Sequence, residues 1–168
     1  MASNPSFDIT TGVDLQEVDN AVNQTRKELQ HRYDFRGVEY TLELDRAASE
    51  VRLTSADEFH MTALTDGLQG KLVKRGVSLK NVRIGDVEHG AGQSVRCTVH
   101  LAQGIEQDTA KRIVKFIKDD KTLRKVQASI LGDQVRVTGP KKDVLQEVMQ
   151  RLREEDFGVE LEFGNYRG

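Results

Sequence analysis

Residues Ser6-Phe7-Asp8-Ile9-Thr10 alternate polar and apolar, the period of a strand with one buried face. Past Asp14 the period lengthens. Leu15, Val18, Val22 and Leu29 recur at helical spacing, and Asp14 with Glu17 predicts a capping box at the start of a helix that runs to about Arg32. Two alternating runs follow, Val38/Tyr40/Leu42/Leu44 and Val51/Leu53, joined by the polar turn Asp45-Arg46-Ala47-Ala48-Ser49-Glu50, which predicts a β-hairpin. A second helix is expected to carry Met61, Leu64, Leu68 and Leu72, opened by a Ser55 and Glu58 capping box and stopped at Gly76. Val82 and Ile84 mark a fourth strand.

This βαββαβ order then repeats. Val95/Cys97/Val99/Leu101 reads as a strand, Ile105 to Lys118 as a helix, and Val126/Ala128/Ile130 with Val135/Val137 as a hairpin. Pro140 suits the first turn of a helix carrying Val144, Leu145, Val148 and Leu152, and Val159/Leu161/Phe163 make the closing strand. Gly12-Val13-Asp14 is echoed by Gly104-Ile105-Glu106, and Val51-Arg52-Leu53-Thr54 by Val135-Arg136-Val137-Thr138, each pair at equivalent joints. The pattern therefore predicts an α+β fold of two tandem ferredoxin-like units.

The link His89-Gly90-Ala91-Gly92-Gln93 is short enough to make the fourth and fifth strands an antiparallel hairpin. In a ferredoxin-like sheet the fourth strand neighbours the first, so the fifth strand of the chain would fill the first-strand place of the first unit. The true first strand is then displaced to the vacant slot of the second. On this reading residues 12–103 form the first domain, and 1–11 with 104–168 form the second. The unexchanged alternative breaks near Gly90.

Composition narrows the function. A net charge of −2 and 31% charged residues exclude bulk coating of nucleic acid, so any anion site must be local. A single cysteine leaves no internal disulfide framework, Met1-Ala2-Ser3-Asn4-Pro5-Ser6 lacks the basic and apolar regions of a secretory leader, and no apolar run is long enough to span a membrane. The expectation is a cytoplasmic protein.

No catalytic constellation is visible, and no cofactor is expected. His31, His60, His89 and His100 are dispersed and no paired cysteines or carboxylates stand at metal-ligand spacing, so no metal site is expected. Cys97 shares its alternation with Val95, Val99 and Leu101 and reads as core. Gly90-Ala91-Gly92 precedes a strand pattern where a dinucleotide-binding loop requires a helix, so these glycines serve a turn.

Candidate phosphate-binding residues do stand out. Lys111, Lys115 and Lys118 share one face of the third helix, and Lys121, Arg124 and Lys125 follow at its exit. Lys141 and Lys142 sit beside a helix start, where unpaired N–H groups favour anions. Lys71, Lys74 and Arg75 are explained by the dipole at the end of the second helix. RNA-binding folds of this topology present stacking rings on the sheet. Here the corresponding strands offer Arg52 and Arg136, with Arg96 and His100 outward on a neighbouring strand, a set suited to phosphate contact.

Pro5-Ser6-Phe7-Asp8-Ile9, Val13-Asp14-Leu15-Gln16-Glu17 and Tyr33-Asp34-Phe35-Arg36 resemble the opening of the YajQ family. Lys74-Arg75-Gly76, Gln103-Gly104-Ile105-Glu106, Lys111-Arg112-Ile113-Val114-Lys115 and Val135-Arg136-Val137-Thr138-Gly139 resemble its later segments, so the likeness spans the chain. The resemblance implies tandem RNP-like domains without the aromatic motifs, and a non-enzymatic nucleotide-binding protein. It also implies partners that range over mononucleotides, tRNA and cyclic di-GMP, the last linked to a transcription regulator. Two readings stay open: a nucleotide or cyclic di-GMP sensor, and an RNA-binding or protein-interaction adaptor. The resemblance carries no residue-level site.

Overall fold

A computed structural model describes residues 4–168. Met1, Ala2 and Ser3, on which part of the leader expectation falls, lie outside the described residues. The chain divides into two compact units. One is continuous, Val13–Ala102, and the other is composite, joining Gln103–Gly168 to the amino-terminal segment that ends at Gly12.

The first strand, β1 (Ser6–Thr10), belongs to the composite unit. The continuous unit begins with α1 (Leu15–Gln30), then the hairpin β2 (Tyr40–Asp45) and β3 (Glu50–Ser55), then α2 (Glu58–Lys74). It ends with β4 (Val82–Ile84), the two-residue β5 (Glu88–His89) and β6 (Val95–Leu101). Its antiparallel sheet runs β2-β3-β6-β4, with β5 paired to the start of β6. Apolar side chains at alternate strand positions, Val51 and Leu53 on β3 and Val95, Cys97 and Val99 on β6, face Val18, Val22 and Leu29 of α1 and Met61, Leu64, Leu68 and Leu72 of α2. Each fully buried leucine or methionine contributes roughly 1.5–3 kcal/mol of transfer free energy. Cys97 lies in this core, and burial pushes its thiol above the ordinary value.

The composite unit continues with α3 (Gln107–Asp119), the hairpin β7 (Gln127–Leu131) and β8 (Gln134–Thr138), α4 (Lys142–Glu154) and β9 (Glu162–Arg167). Its sheet runs β7-β8-β1-β9, with β1 antiparallel to both neighbours. Phe7 and Ile9 of β1 are fully buried beside Val135, Val137, Ile113, Ile117 and Val148. The first strand of the chain thus completes the second sheet, while β6 takes the equivalent place in the first, between β3 and β4. The chain passes from β6 to α3 through Gly104, whose φ of +91° suits glycine and whose Cα faces the Asp133 carboxylate so closely that an added Cβ would lie 2.5 Å from its oxygen.

Four local details differ from the sequence reading. The cap of α2 is Asp57, whose Oδ1 accepts the His60 N–H at 2.8 Å; Ser55 is the last residue of β3 and its side chain turns inward, 3% exposed. Pro140 precedes α4 by two residues, because Gly139 N–H still donates to the Pro5 carbonyl beside β1 and holds the chain along the sheet. The closing strand starts at Glu162 because Gly158, at φ +83°, turns the chain after the buried Phe157. At α1, Asp14 caps as expected through the Gln16 N–H, but Glu17 accepts from Asn20 and does not complete a box.

Candidate functional site

The four sheet-borne candidates sit on faces turned away from the helices. On the continuous sheet, Arg52 lies opposite Glu43 on one side and Thr98 on the other, and Arg96 lies opposite Thr54 and Glu88. Register therefore sets cations against carboxylates. Arg52 pairs with Glu50 at 2.7 Å and Asp45 at 2.8 Å, and Arg96 pairs with Glu88 at 2.8 Å. His100 lies opposite Glu50, with Nδ1 at 3.7 Å from its carboxylate. A phosphate reaching this face has to displace carboxylates.

On the composite sheet Arg136 lies opposite Asp8. Its Nε and Nη2 donate to the two carboxylate oxygens at 2.8 and 3.2 Å, and Asn165 donates to the same carboxylate at 2.6 Å. Asn165 reaches it because the β1–β9 register shifts between Ser6 and Asp8, and Asn165, at φ +53°, is the extra residue that re-aims the strand. Asp8 is 4% exposed. The Arg136 hydrogen bonds, with Asn165 and the more distant Arg167, outweigh burial and hold its carboxyl below the usual range. This cluster is a closed structural lock.

Lys111, Lys115 and Lys118 are all exposed on α3, as their spacing predicts. Lys115 pairs with Asp119 at 3.7 Å, whereas Lys111 and Lys118 enter no ion pair among the described residues. Lys118 borders a hollow of about 360 Å³ between α3 and β7 that is lined by Val114, Ile117 and Ala128 and carries no exposed ring.

Lys141 and Lys142 open α4. Lys141 is the extended N-cap and its side chain makes no capping bond, so the first-turn N–H groups lack the usual side-chain acceptor. Lys142, Leu145, Gln146 and Met149 line one side of a hollow of about 390 Å³ whose other side is the end of β9, Tyr166 and Arg167. Tyr166 is 62% exposed; its ring packs at 6.5 Å from that of Phe7 and its hydroxyl donates to the Phe163 carbonyl at 3.2 Å. Lys142 and Arg167 are in no ion pair among the described residues. The hollow thus combines an anchored, exposed ring with two available cations. Tyr166 and Arg167 were not singled out by the hydrophobic pattern, which ends at Phe163; the only local signal was Gly164-Asn165, a bulge-prone pair directly before them.

Among the described residues no group of three or more histidine, cysteine or acidic side chains could hold a metal ion, and no helix is long and apolar enough to cross a membrane. Residues 5–167 match the model of a family described as nucleotide-binding protein YajQ-like. The chain belongs to that family. Relatives of this YajQ-like chain include a nucleotide-binding protein of Desulfitobacterium hafniense, 50% identical over 99% of this chain and 100% of the relative. One from Chloroherpeton thalassium is 44% identical over the same shares, and one from Geotalea uraniireducens is 48% identical over 97% and 99%. Each relative carries the name nucleotide-binding protein.

Proposed function

We propose that this YajQ-like chain is a non-catalytic, cytoplasmic nucleotide-binding protein that holds its ligand in the α4–β9 hollow of the composite unit. The observation that carries this reading is the convergence of an exposed tyrosine ring with two unpaired cations in one concavity of about 390 Å³. Ligand hollows of this size pair apolar surface with a few placed polar groups. The base stacks on Tyr166, and Lys142 and Arg167 take the phosphate through charge-assisted hydrogen bonds. Gln146, on the wall formed by α4, offers both a donor and an acceptor to a base edge. The names of the relatives support the ligand class. The exposed lysines 111, 115 and 118 raise the local anion concentration and speed encounter without contacting the bound ligand.

The test is calorimetric titration with AMP, GMP and cyclic di-GMP at two salt concentrations, on the parent and on Tyr166→Ala, Lys142→Glu and Arg167→Glu variants. The expected result is saturable binding of at least one nucleotide, weakened about tenfold or more by each substitution. Equal affinity in all four proteins would remove the hollow from the site, and no binding of any nucleotide at high micromolar concentration would remove the function.

A further inference from the structure

An outer strand of a sheet presents unpaired backbone groups, and unless it is guarded another strand can add to it. Among the described residues the outer strands are β2 and β4 in the continuous unit and β7 and β9 in the composite one. Three of them are guarded. β2 carries Glu43 and Asp45, and the Arg26 guanidinium donates to its Leu42 carbonyl. β4 is three residues long and carries Arg83. β9 is interrupted by its register shift and carries Glu162 and Arg167. β7 has none of these devices. Its sequence, Gln127-Ala128-Ser129-Ile130-Leu131, holds no charge and no proline, and its register with β8 is unbroken over all five residues. The rest of the chain does not cover it, since Gln127 and Ser129 are exposed and Leu131 is 43% exposed.

The surroundings of this edge specify what fits it. Beside it lies the α3–β7 hollow of about 360 Å³, whose walls Val114, Ile117, Val126 and Ala128 suit an aliphatic side chain. At 3.6 residues per turn, Lys118 stands about 40° and Lys111 about 60° from Val114 around α3, so both rise beside the hollow. Neither enters an ion pair among the described residues. Lys115 stands about 100° away and pairs with Asp119 at 3.7 Å. Lys111 and Lys118 are separated by about 10 Å along the helix. Side chains four residues apart on one face of a strand are separated by about 13 Å, a span that two long lysine side chains accommodate. An added strand with an aliphatic residue in the hollow therefore brings the residues two places to either side toward the two lysines. A second copy of this chain is a poor occupant, because β7 against β7 would bring two lysine rims together.

We infer that the outer edge of β7 takes an extended acidic segment of a partner protein as an added strand, its aliphatic residue entering the α3–β7 hollow and its flanking acidic residues meeting Lys111 and Lys118. This surface is separate from the α4–β9 hollow, and it stands whether or not that hollow takes a nucleotide.

The probe is a labelled nine-residue peptide, Ser-Thr-Glu-Thr-Ile-Thr-Glu-Thr-Ser, titrated into the full chain by fluorescence anisotropy, with amide hydrogen exchange on the complex. Saturable binding at micromolar concentration is expected, with exchange slowed in β7 and unchanged in β2. Moving the isoleucine one place, to Ser-Thr-Glu-Ile-Thr-Thr-Glu-Thr-Ser, turns it to the opposite face at identical charge and is expected to weaken binding at least about fivefold. The Lys111→Glu/Lys118→Glu double variant is expected to lose at least about tenfold, and Lys115→Glu less than about threefold. All three lysines are exposed, so these variants should melt with the parent, which circular dichroism checks. The inference is overturned if the parent fails to bind the peptide at high micromolar concentration, or if either the moved isoleucine or the folded double variant leaves affinity within twofold. Equal losses from Lys115→Glu and the double variant, or slowed exchange confined to residues outside β7, would also overturn it. So would a free chain that sediments as a dimer with β7 already protected, which would give the edge to a second copy.

Discussion

The two units share one strand order, yet their open sheet faces treat cations differently. In the continuous unit, Arg52, Arg96 and His100 are spread over the face and each has a nearby carboxylate, in a solvated lattice of exposed pairs. In the composite unit one cation, Arg136, is committed to a buried aspartate locked by Asn165, and the available cations, Lys142 and Arg167, lie at the rim. Topology fixes which positions point outward. Cross-strand register decides whether an outward cation is free, because directly opposed charges satisfy each other.

The largest expected effect tests the joint that makes the composite unit possible. Gly104→Ala combines a strained φ with a Cβ that overlaps Asp133, and is expected to cost about 3 kcal/mol. Gly76→Ala, at φ +80° with nothing within 4 Å, is the control in the continuous unit and is expected to cost about 1 kcal/mol. Urea unfolding measures both. Native-state hydrogen exchange should show the Gly104 variant losing protection first in β1 and β8.

Asp8→Ala comes next. It leaves Arg136 and Asn165 without their shared acceptor, and a fully buried pair broken this way costs about 3–5 kcal/mol. With the Arg136 side chain 31% exposed, about 2 kcal/mol is expected, and a double-mutant cycle with Arg136→Ala measures the coupling. Glu88→Ala, which removes the exposed partner of Arg96, is expected to change stability by less than about 0.5 kcal/mol. Equal costs at Asp8 and Glu88 would erase the distinction between lock and lattice.

Much of this fold is legible in the residues, because alternation and helical spacing act over short stretches. The short link from His89 to Gln93 even predicts the displacement of β1, since a hairpin leaves no room for that strand in the first sheet. What escapes is set by long-range partners. Ser55 looks like a cap until pairing with Tyr40 and Val95 turns it inward, and Glu162–Arg167 contains the poor strand formers Gly164 and Asn165, held in a sheet by β1. The site follows the same rule. Lys142 is visible as a helix-start cation, but Tyr166 and Arg167 become neighbours of α4 only once β9 is paired.

Ligand affinity sharpens the comparison at a smaller scale. Arg167→Ala is expected to weaken nucleotide binding about tenfold, the worth of one charge-assisted hydrogen bond. Arg52→Ala, whose guanidinium is engaged by two carboxylates, is expected to leave affinity within twofold. Titration calorimetry on the two variants reads the difference, and a larger loss from Arg52→Ala would move the site to the sheet face.

The smallest effect is a pH dependence in which one residue of each unit is followed on a different limb of the stability curve. Asp8 has a lowered pKa, led by its hydrogen bonds to Arg136, so its contribution is complete above the ordinary value of 3.8 and disappears as the pH falls through the lower folded value. His60 has a raised pKa, led by its hydrogen bond to Asp57. Both ring nitrogens face acceptors, so the imidazolium satisfies two bonds where the neutral ring donates only one. Its contribution is therefore complete below 6.5 and is lost as the pH rises through the raised folded value. Asp57 is partly exposed and solvent-screened, so this loss is expected to stay below about 1 kcal/mol. Urea midpoints from pH 3 to 9 should show Asp8→Asn flattening the acidic limb and His60→Gln abolishing the decline above neutrality, with a smaller change on the acidic limb because His60 also helps hold the Asp57 carboxyl low. A decline above neutrality that survived His60→Gln would remove His60 as its source.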